Sequence, residues 1–227
     1  MPVGRAQLGR NEIKRAEEID PDLAESHIAS AWLLFGGYQG YQIESAAREI
    51  LRAQEINPSV GHLEMGQFAY HVGLEDVSDR EFQRALEIDP TSEFTKSQYA
   101  IFYQLVNRWD DYLIVAKKYF PDEPVSAFYY LGKGQLPEAK RAIAAMALSD
   151  PTDPYLADAR ALEFALDGNA PAAEQQVQQV LKSFSRRRPD YHHVTYDIAC
   201  VYAILGNTDQ AMKWLRETGD KGNPSYI

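Results

Sequence analysis

The strongest constraint on the fold is a helix-ending pattern that returns at nearly regular intervals. Three segments share it, each with an alanine, an isoleucine three residues later, then Asp or Asn, then proline: 16–21, 53–58 and 85–90. Proline disfavours helix in the residue before it, and it lacks the N–H that would continue the helix. The same proline suits the opening of the next helix. The pattern therefore predicts a series of short helices joined by tight turns.

Residues of similar size recur at fixed distances from these helix ends. A mostly small series consists of Ala46, Ser78, Tyr112, Ala139, Ala173 and Ala211. Four residues after each lies a mostly large series: Ile50, Phe82, Ala116, Ile143, Val177 and Leu215. Upstream, another small series consists of Gly66, Ala100, Ala127, Ala161 and Ala199, and a turn residue follows each one: Gly73, Asn107, Gly134, Gly168 and Gly206. Such spacing puts each series on one helix face and predicts repeating pairs of helices, A and B.

This phased pattern resembles the tetratricopeptide repeat (TPR) family, and the best single match runs from Thr195 to Thr218. The resemblance implies an all-α, right-handed superhelix, an α-solenoid, of about six helix-turn-helix repeats after an N-terminal half repeat. We predict one solenoid domain over residues 1–227. The half repeat lies at about 5–20, and the repeats lie at about 24–58, 59–90, 93–120, 121–150, 154–183 and 192–218.

The sequence departs from the family pattern in two ways that affect the fold. The step between the third and fourth repeats is short and contains Pro121 and Pro124. We therefore expect helix B of the third repeat to run almost directly into a shortened helix A of the fourth. The family's aromatic residue at the fourth position of helix A is also replaced, by His27, His62, Lys96 and Thr195. This replacement predicts weaker packing between helices.

Two irregular segments and the two ends carry further expectations. An insertion is expected near Gly36–Tyr38, and the basic run Arg186–Arg188 is typical of a solvated linker, although it could bind a phosphate or an acidic partner.

Neither end shows the polar capping helix that solenoids usually need. We therefore expect either a fragment of a longer protein or a partner that covers the last repeat.

Composition and motifs exclude several classes of function. The 23 basic and 33 acidic side chains give a formal charge of −10, which argues against general nucleic-acid binding. A single cysteine, Cys200, excludes an intrachain disulfide framework, and no apolar run approaches a membrane span or a signal peptide. We found no catalytic motif. We therefore predict a cytoplasmic protein that is not an enzyme and has no cofactor, no metal and no membrane association.

The family resemblance also implies where a partner would bind. TPR proteins usually contact ligands through helix A, on the concave surface of the solenoid. The corresponding positions here are Val60, Leu63, Gln67, Tyr70, Phe94, Ser97, Ile101, Gln104, Tyr155, Asp158, Leu162, His193, Tyr196 and Cys200. Chaperone-binding TPR domains bind a terminal carboxylate with Lys, Arg and Asn at such positions, and these residues are absent here. The apolar and aromatic content instead favours a hydrophobic or helical segment.

We therefore predict a non-catalytic protein–protein interaction module or scaffold that binds a peptide or helix in its groove, as part of a bacterial regulatory protein. Two alternatives remain. One is a small-ligand sensor or enzyme that uses His71, His193 or Cys200. The other is a self-associating array, because uncapped ends expose apolar helix faces.

Overall fold

The computed structural model describes residues 3–36, 41–184 and 190–220, and these residues contain thirteen α-helices and no strand. The helices are α1 Val3–Ile19, α2 Ala24–Phe35, α3 Ile43–Ile56, α4 His62–Tyr70, α5 Glu75–Ile88, α6 Glu93–Leu105, α7 Trp109–Tyr119, α8 Ala127–Gly132, α9 Leu136–Ser149, α10 Leu156–Leu166, α11 Ala170–Ser183, α12 Tyr191–Ile204 and α13 Thr208–Asp220. The predicted all-α fold of helix-turn-helix repeats is confirmed. Most of the expected insertion near Gly36, and the Arg186–Arg188 linker, lie outside the described residues.

The helices form two compact units, and the boundary between them in the sequence lies between Phe102 and Tyr103. In the first unit, α2 packs on α3 and α4 packs on α5. In the second unit, α8, α10 and α12 pack on α9, α11 and α13 respectively, and α10 also contacts both α8 and α12. The even-numbered helices are thus the A helices of their repeats. The prediction of a single solenoid domain stays a prediction.

Five turns between A and B helices contain one residue in the left-handed backbone conformation. Gly73, Gly134, Gly168 and Gly206 have φ between 66° and 74°, and Asn107 has φ 58°. The residue after each one donates its backbone N–H to a carbonyl in the last turn of helix A, as Leu74 does to Ala69 at 2.9 Å. This bond satisfies a carbonyl that the end of the helix would leave unpaired. The spacing of these glycines therefore identified the turns correctly.

Close helix packing explains the series of small and large residues. In the second unit, Ala139, Ala161 and Ala173 are fully buried where two helices approach each other. Their larger neighbours, Ile143 and Val177, fill the space beside them. In the first unit, the hydroxyl of Ser78 on α5 donates to the carbonyl of Gly66 on α4 at 2.8 Å. Small residues allow this approach, and their apolar neighbours supply the buried area that stabilises the pair.

The fourth repeat differs from the expectation drawn from its prolines. Helix α8 is indeed short, with six residues. However, the prediction that α7 runs almost directly into it is wrong, because residues 120–126 separate the two helices. The prolines keep this segment non-helical, so the missing length comes from helix A rather than from the connection. The ring of Trp109 covers the end of α8, so that a Cβ on Gly132 would lie 2.2 Å from it.

Polar pairs replace the family's aromatic residue at the fourth position of helix A. Nδ1 of His27 lies 2.7 Å from a carboxylate oxygen of Glu49 on α3. His62 makes the same contact with Glu81 on α5, also at 2.7 Å. In the last repeat, Thr218 on α13 donates its hydroxyl to Thr195 at 2.9 Å. The missing aromatic ring therefore does not leave these helix pairs without a specific contact.

Candidate functional site

The candidate residues of α4 and the loop before it are mostly packed within the first unit. Val60 and Leu63 are half-buried, whereas Gln67 and Tyr70 are buried. The amide nitrogen of Gln67 donates to Gln98 on α6 at 2.6 Å, which links two consecutive A helices. The ring of Tyr70 stacks on His71 with centroids 4.2 Å apart, and burial raises the pKa of Tyr70. These buried side chains stabilise the layer of A helices and expose little area to a partner.

The candidate residues of α6 include two large apolar side chains that are open to solvent. Phe94 is 59% exposed and Ile101 is 39% exposed. Ser97, which is half-buried, lies between them in the sequence. Offsets of three and seven residues place all three on one face of the helix. The first part of α6 therefore presents an apolar face that its own unit does not cover.

The candidate residues of α10 lie deeper, in the second unit. The hydroxyl of Tyr155 donates to Asp190, just before α12, at 2.9 Å. Its ring makes an edge contact with Phe184, with centroids 5.1 Å apart. Asp158 is 0% exposed, and Leu162 is also buried. Tyr155 thus fixes the start of α10 against α12, and Asp158 faces the interior.

The candidate residues of α12 are half-buried, and so is Gln104 at the end of α6. The ring of His193 contacts that of His192 at a tilt of 43°, with ring centroids 4.0 Å apart. Tyr196 is hydrogen-bonded to Asn107 and to Cys200, and burial raises its pKa to about 12. Burial and the nearby Asp197 carboxyl also raise the pKa of the Cys200 thiol to about 11. Cys200 is therefore a protonated and weakly reactive thiol at neutral pH.

A pair of carboxyl groups in the second unit was not recognised from the sequence. Asp158 on α10 and Asp197 on α12 are hydrogen-bonded to each other, which requires a proton between them. Burial and the neighbouring Asp197 raise the pKa of Asp158 well above its usual range, and burial raises that of Asp197 to about 6. Asp158 and Asp197 are 39 residues apart in the sequence. Only the packing of consecutive A helices brings them together.

His71 belongs to the alternative reading as a sensor or enzyme. It is buried, and its Nδ1 lies 2.6 Å from the carbonyl of Gln67. Burial lowers its pKa to about 4, although the hydrogen bond to Gln67 opposes the shift. The imidazole is therefore neutral at physiological pH, with Nδ1 as its donor to Gln67. The predictions of no cofactor and no metal stay predictions.

Comparison with known proteins identifies the fold. No protein-family model and no curated protein sequence matches the chain. Solved structures do match. The chain has the fold of tetratricopeptide repeat proteins, as its phased repeats predicted. No helix in the described part of the chain is both long and apolar enough to cross a membrane.

Three similar structures are bacterial or pilus proteins of low sequence identity. A tetratricopeptide repeat protein from Parabacteroides merdae matches with a TM-score of 0.64 and 12% identity, over 94% of this chain and 86% of that one. PilW, a widely conserved type IV pilus biogenesis factor, matches with a TM-score of 0.54 and 17% identity, over 86% and 91%. PilF of Pseudomonas aeruginosa matches with a TM-score of 0.50 and 15% identity, over 91% and 96%. At these identities the likeness concerns the fold alone.

Proposed function

We propose that the chain is a non-catalytic interaction module that binds an apolar, helical segment of another protein along its A helices, within a bacterial regulatory protein. The observation that carries this proposal is the exposed apolar face of α6, formed by Phe94 and Ile101. Phe94 and Ile101 lie seven residues apart, about two turns of α6, which matches the i, i+7 spacing of anchor residues on an amphipathic helix. The fold supports the proposal, because TPR repeats present their A helices to partners.

The residues available for chemistry favour binding over catalysis. A nucleophilic cysteine needs a lowered pKa, whereas that of Cys200 is raised to about 11. A general base should titrate near neutral pH, whereas the pKa of His71 is lowered to about 4. These two residues therefore provide weak support for an enzyme or for a sensor that relies on their reactivity.

The test compares exposed apolar side chains on the A helix α6 with side chains on B helices that are more exposed in the free protein. One variant carries Phe94→Ser and Ile101→Ser on α6. The matched control carries Ile114→Ser and Leu148→Ser on the B helices α7 and α9, where these side chains are 66% and 86% exposed. Each variant is titrated by fluorescence anisotropy against a library of labelled amphipathic helical peptides. The same proteins are used to capture partners from a bacterial lysate.

We expect the α6 variant to lose peptide affinity by about tenfold or more, because truncation of an anchor residue usually costs over 1 kcal/mol. The control should bind as the parent protein does. Equal binding by all three proteins would contradict the proposed surface. A loss of self-association instead, seen by sedimentation at several concentrations, would favour the alternative of a self-associating array.

A further inference from the structure

A second A helix of the first unit also carries an exposed anchor residue. Trp32 of α2 directly follows the buried residue Ala31. Ile101 of α6 follows the buried Ala100 in the same way, so the two exposed side chains occupy equivalent positions of their repeats. Trp32 is 40% exposed, and tryptophan is among the residues most enriched at the energetic centres of interfaces. The fourteen groove positions do not include it.

Side-chain contacts connect the three A helices of this unit. The ring of Trp32 meets the ring of Phe68 on α4 edge-on, with centroids 5.4 Å apart. Next to Phe68, Gln67 donates to Gln98 on α6 at 2.6 Å. Helix α4 therefore contacts both α2 and α6. We use the name A face for the exposed and half-buried apolar side chains that these helices present: Trp32, Leu63, Phe94 and Ile101.

The A face is bordered by unpaired acidic residues. Glu25, which is exposed, lies seven residues before Trp32 on α2, and the half-buried Glu64 lies one turn before Phe68 on α4. In the part of the chain that the structure describes, neither carboxylate forms an ion pair. Helices α2 and α4 contain no lysine or arginine, and the single lysine of α6, Lys96, is already paired within its own helix.

The B helices of the same unit differ, because they pair acids with their own arginines. Arg48 pairs with Glu44 on α3 at 2.7 Å, and Arg84 pairs with Glu87 on α5 at 2.9 Å. Residues 1–102 of this unit contain 17 acidic and 9 basic side chains, whereas residues 103–227 contain 16 and 14. The negative charge of the protein is thus concentrated in the first unit, and on α2 and α4 no lysine or arginine balances it.

We propose that the A face binds a basic amphipathic helix of the partner protein. This inference rests on the proposed function, since it specifies the chemistry of the bound segment. Apolar side chains of that helix pack on Trp32, Phe94 and Ile101. Lysine or arginine side chains beside them pair with Glu25 and Glu64. Apolar burial supplies affinity, and complementary charge supplies specificity and faster association. An acidic segment would instead bring like charges together.

The probes are sets of amphipathic helical peptides that share one apolar face, lack tryptophan, and carry lysine, glutamine or glutamate on the polar face. Their affinities are measured by fluorescence anisotropy at low and physiological salt, on the parent chain and on two double variants. Glu25→Gln with Glu64→Gln removes the unpaired carboxylates at the A face. The matched control, Glu44→Gln with Glu87→Gln, removes the same charge from the B helices α3 and α5 of the same unit.

The fluorescence of Trp32 reports directly whether the A face is covered. In a background with Trp109→Phe and Trp214→Phe, Trp32 is the only tryptophan. Binding should shift its emission to shorter wavelength and reduce its quenching by acrylamide, because the partner removes a ring that is 40% exposed from water. This measurement requires no substitution within the A face itself.

We expect lysine peptides to bind about fivefold more tightly than glutamine peptides, because two exposed ion pairs form. Glutamate peptides should bind most weakly. The preference for lysine should disappear in the Glu25→Gln, Glu64→Gln variant, persist in the control, and decrease with salt.

Three results would overturn the inference and leave the proposed function intact. The first is binding without a preference for lysine. The second is a preference that the Glu25→Gln, Glu64→Gln variant keeps, or that the control loses equally. The third is binding that leaves the emission of Trp32 unchanged. Failure of every peptide to bind would overturn both the inference and the proposed function.

Discussion

The stability of the second unit should depend on pH through the Asp158–Asp197 pair. Burial raises the pKa of Asp197 from 3.8 to about 6, and burial together with the neighbouring Asp197 raises that of Asp158 well above its usual range. A group whose pKa is higher in the folded state binds more protons there than in the unfolded state. The contribution is therefore fully favourable at low pH and is lost as the pH rises through the folded pKa. Stability should fall between about pH 4 and pH 7.

The size of this loss follows from the shift of Asp197. The difference between a pKa of 3.8 and one of about 6 corresponds to about 3 kcal/mol of unfolding free energy. Asp197 is only half-buried, so solvent screens part of this energy and we expect about 1–2 kcal/mol. Asp158→Asn removes one acid and gives Asp197 an amide N–H donor. The variant should therefore exceed the parent protein in stability by about 1–2 kcal/mol at pH 7.5, and by much less at pH 4.

The assay uses the position of the three tryptophans. Trp109 and Trp214 lie in the second unit, and Trp32 lies in the first. In a Trp32→Phe background, urea unfolding followed by tryptophan fluorescence reports the second unit alone. Other carboxyls change stability with pH as well, but they are shared by the parent and the variant and cancel in the difference. A difference that is constant between pH 4 and 8, or a variant that is less stable at pH 7.5, would refute the reasoning.

Three further predictions concern other contacts. Gly132→Ala should destabilise the second unit by about 1–3 kcal/mol in urea unfolding, because the added Cβ would overlap the Trp109 ring; an unchanged midpoint would contradict it. A double-mutant cycle on His27 and Glu49 should give a coupling of about 0.5–1 kcal/mol, and a value near zero would show that their 2.7 Å contact contributes nothing. Cys200 should react slowly with iodoacetamide at pH 7.5 and faster near pH 11, whereas reaction at the rate of the urea-unfolded chain would contradict its raised pKa.

The sequence predicts features that depend on short-range geometry. The turn residues could be found because a left-handed backbone restricts the choice to glycine and asparagine, as at Gly73 and Asn107. The buried series, such as Ala139 and Ile143, could be found because helix faces repeat at known offsets. Both signals lie within one or two helices. They were sufficient to identify the fold.

Features that depend on how several helices pack could not be found in the same way. Pro121 and Pro124 indicated a shortened helix A in the fourth repeat, but not that the connection before it would keep its length. The Asp158–Asp197 pair joins residues from two repeats, and single carboxyls in a chain with 33 acidic residues carry no signal. The exposure of Phe94 likewise depends on what neighbouring helices leave uncovered. Binding at any of the fourteen groove positions stays a prediction.

The polar pairs at the fourth position of helix A restrict how this array can change during evolution. Repeat proteins commonly gain or lose whole units by duplication and deletion, which is tolerated when every interface is alike. Here His27 faces Glu49 and His62 faces Glu81, whereas Thr195 faces Thr218, so a single helix of the last repeat cannot replace its counterpart in the first two repeats and keep this contact. A cut made within a repeat, between its A and B helices, would leave a histidine or carboxylate without its counterpart. Viable rearrangements should therefore keep each helical hairpin whole, and exchange hairpins rather than single helices.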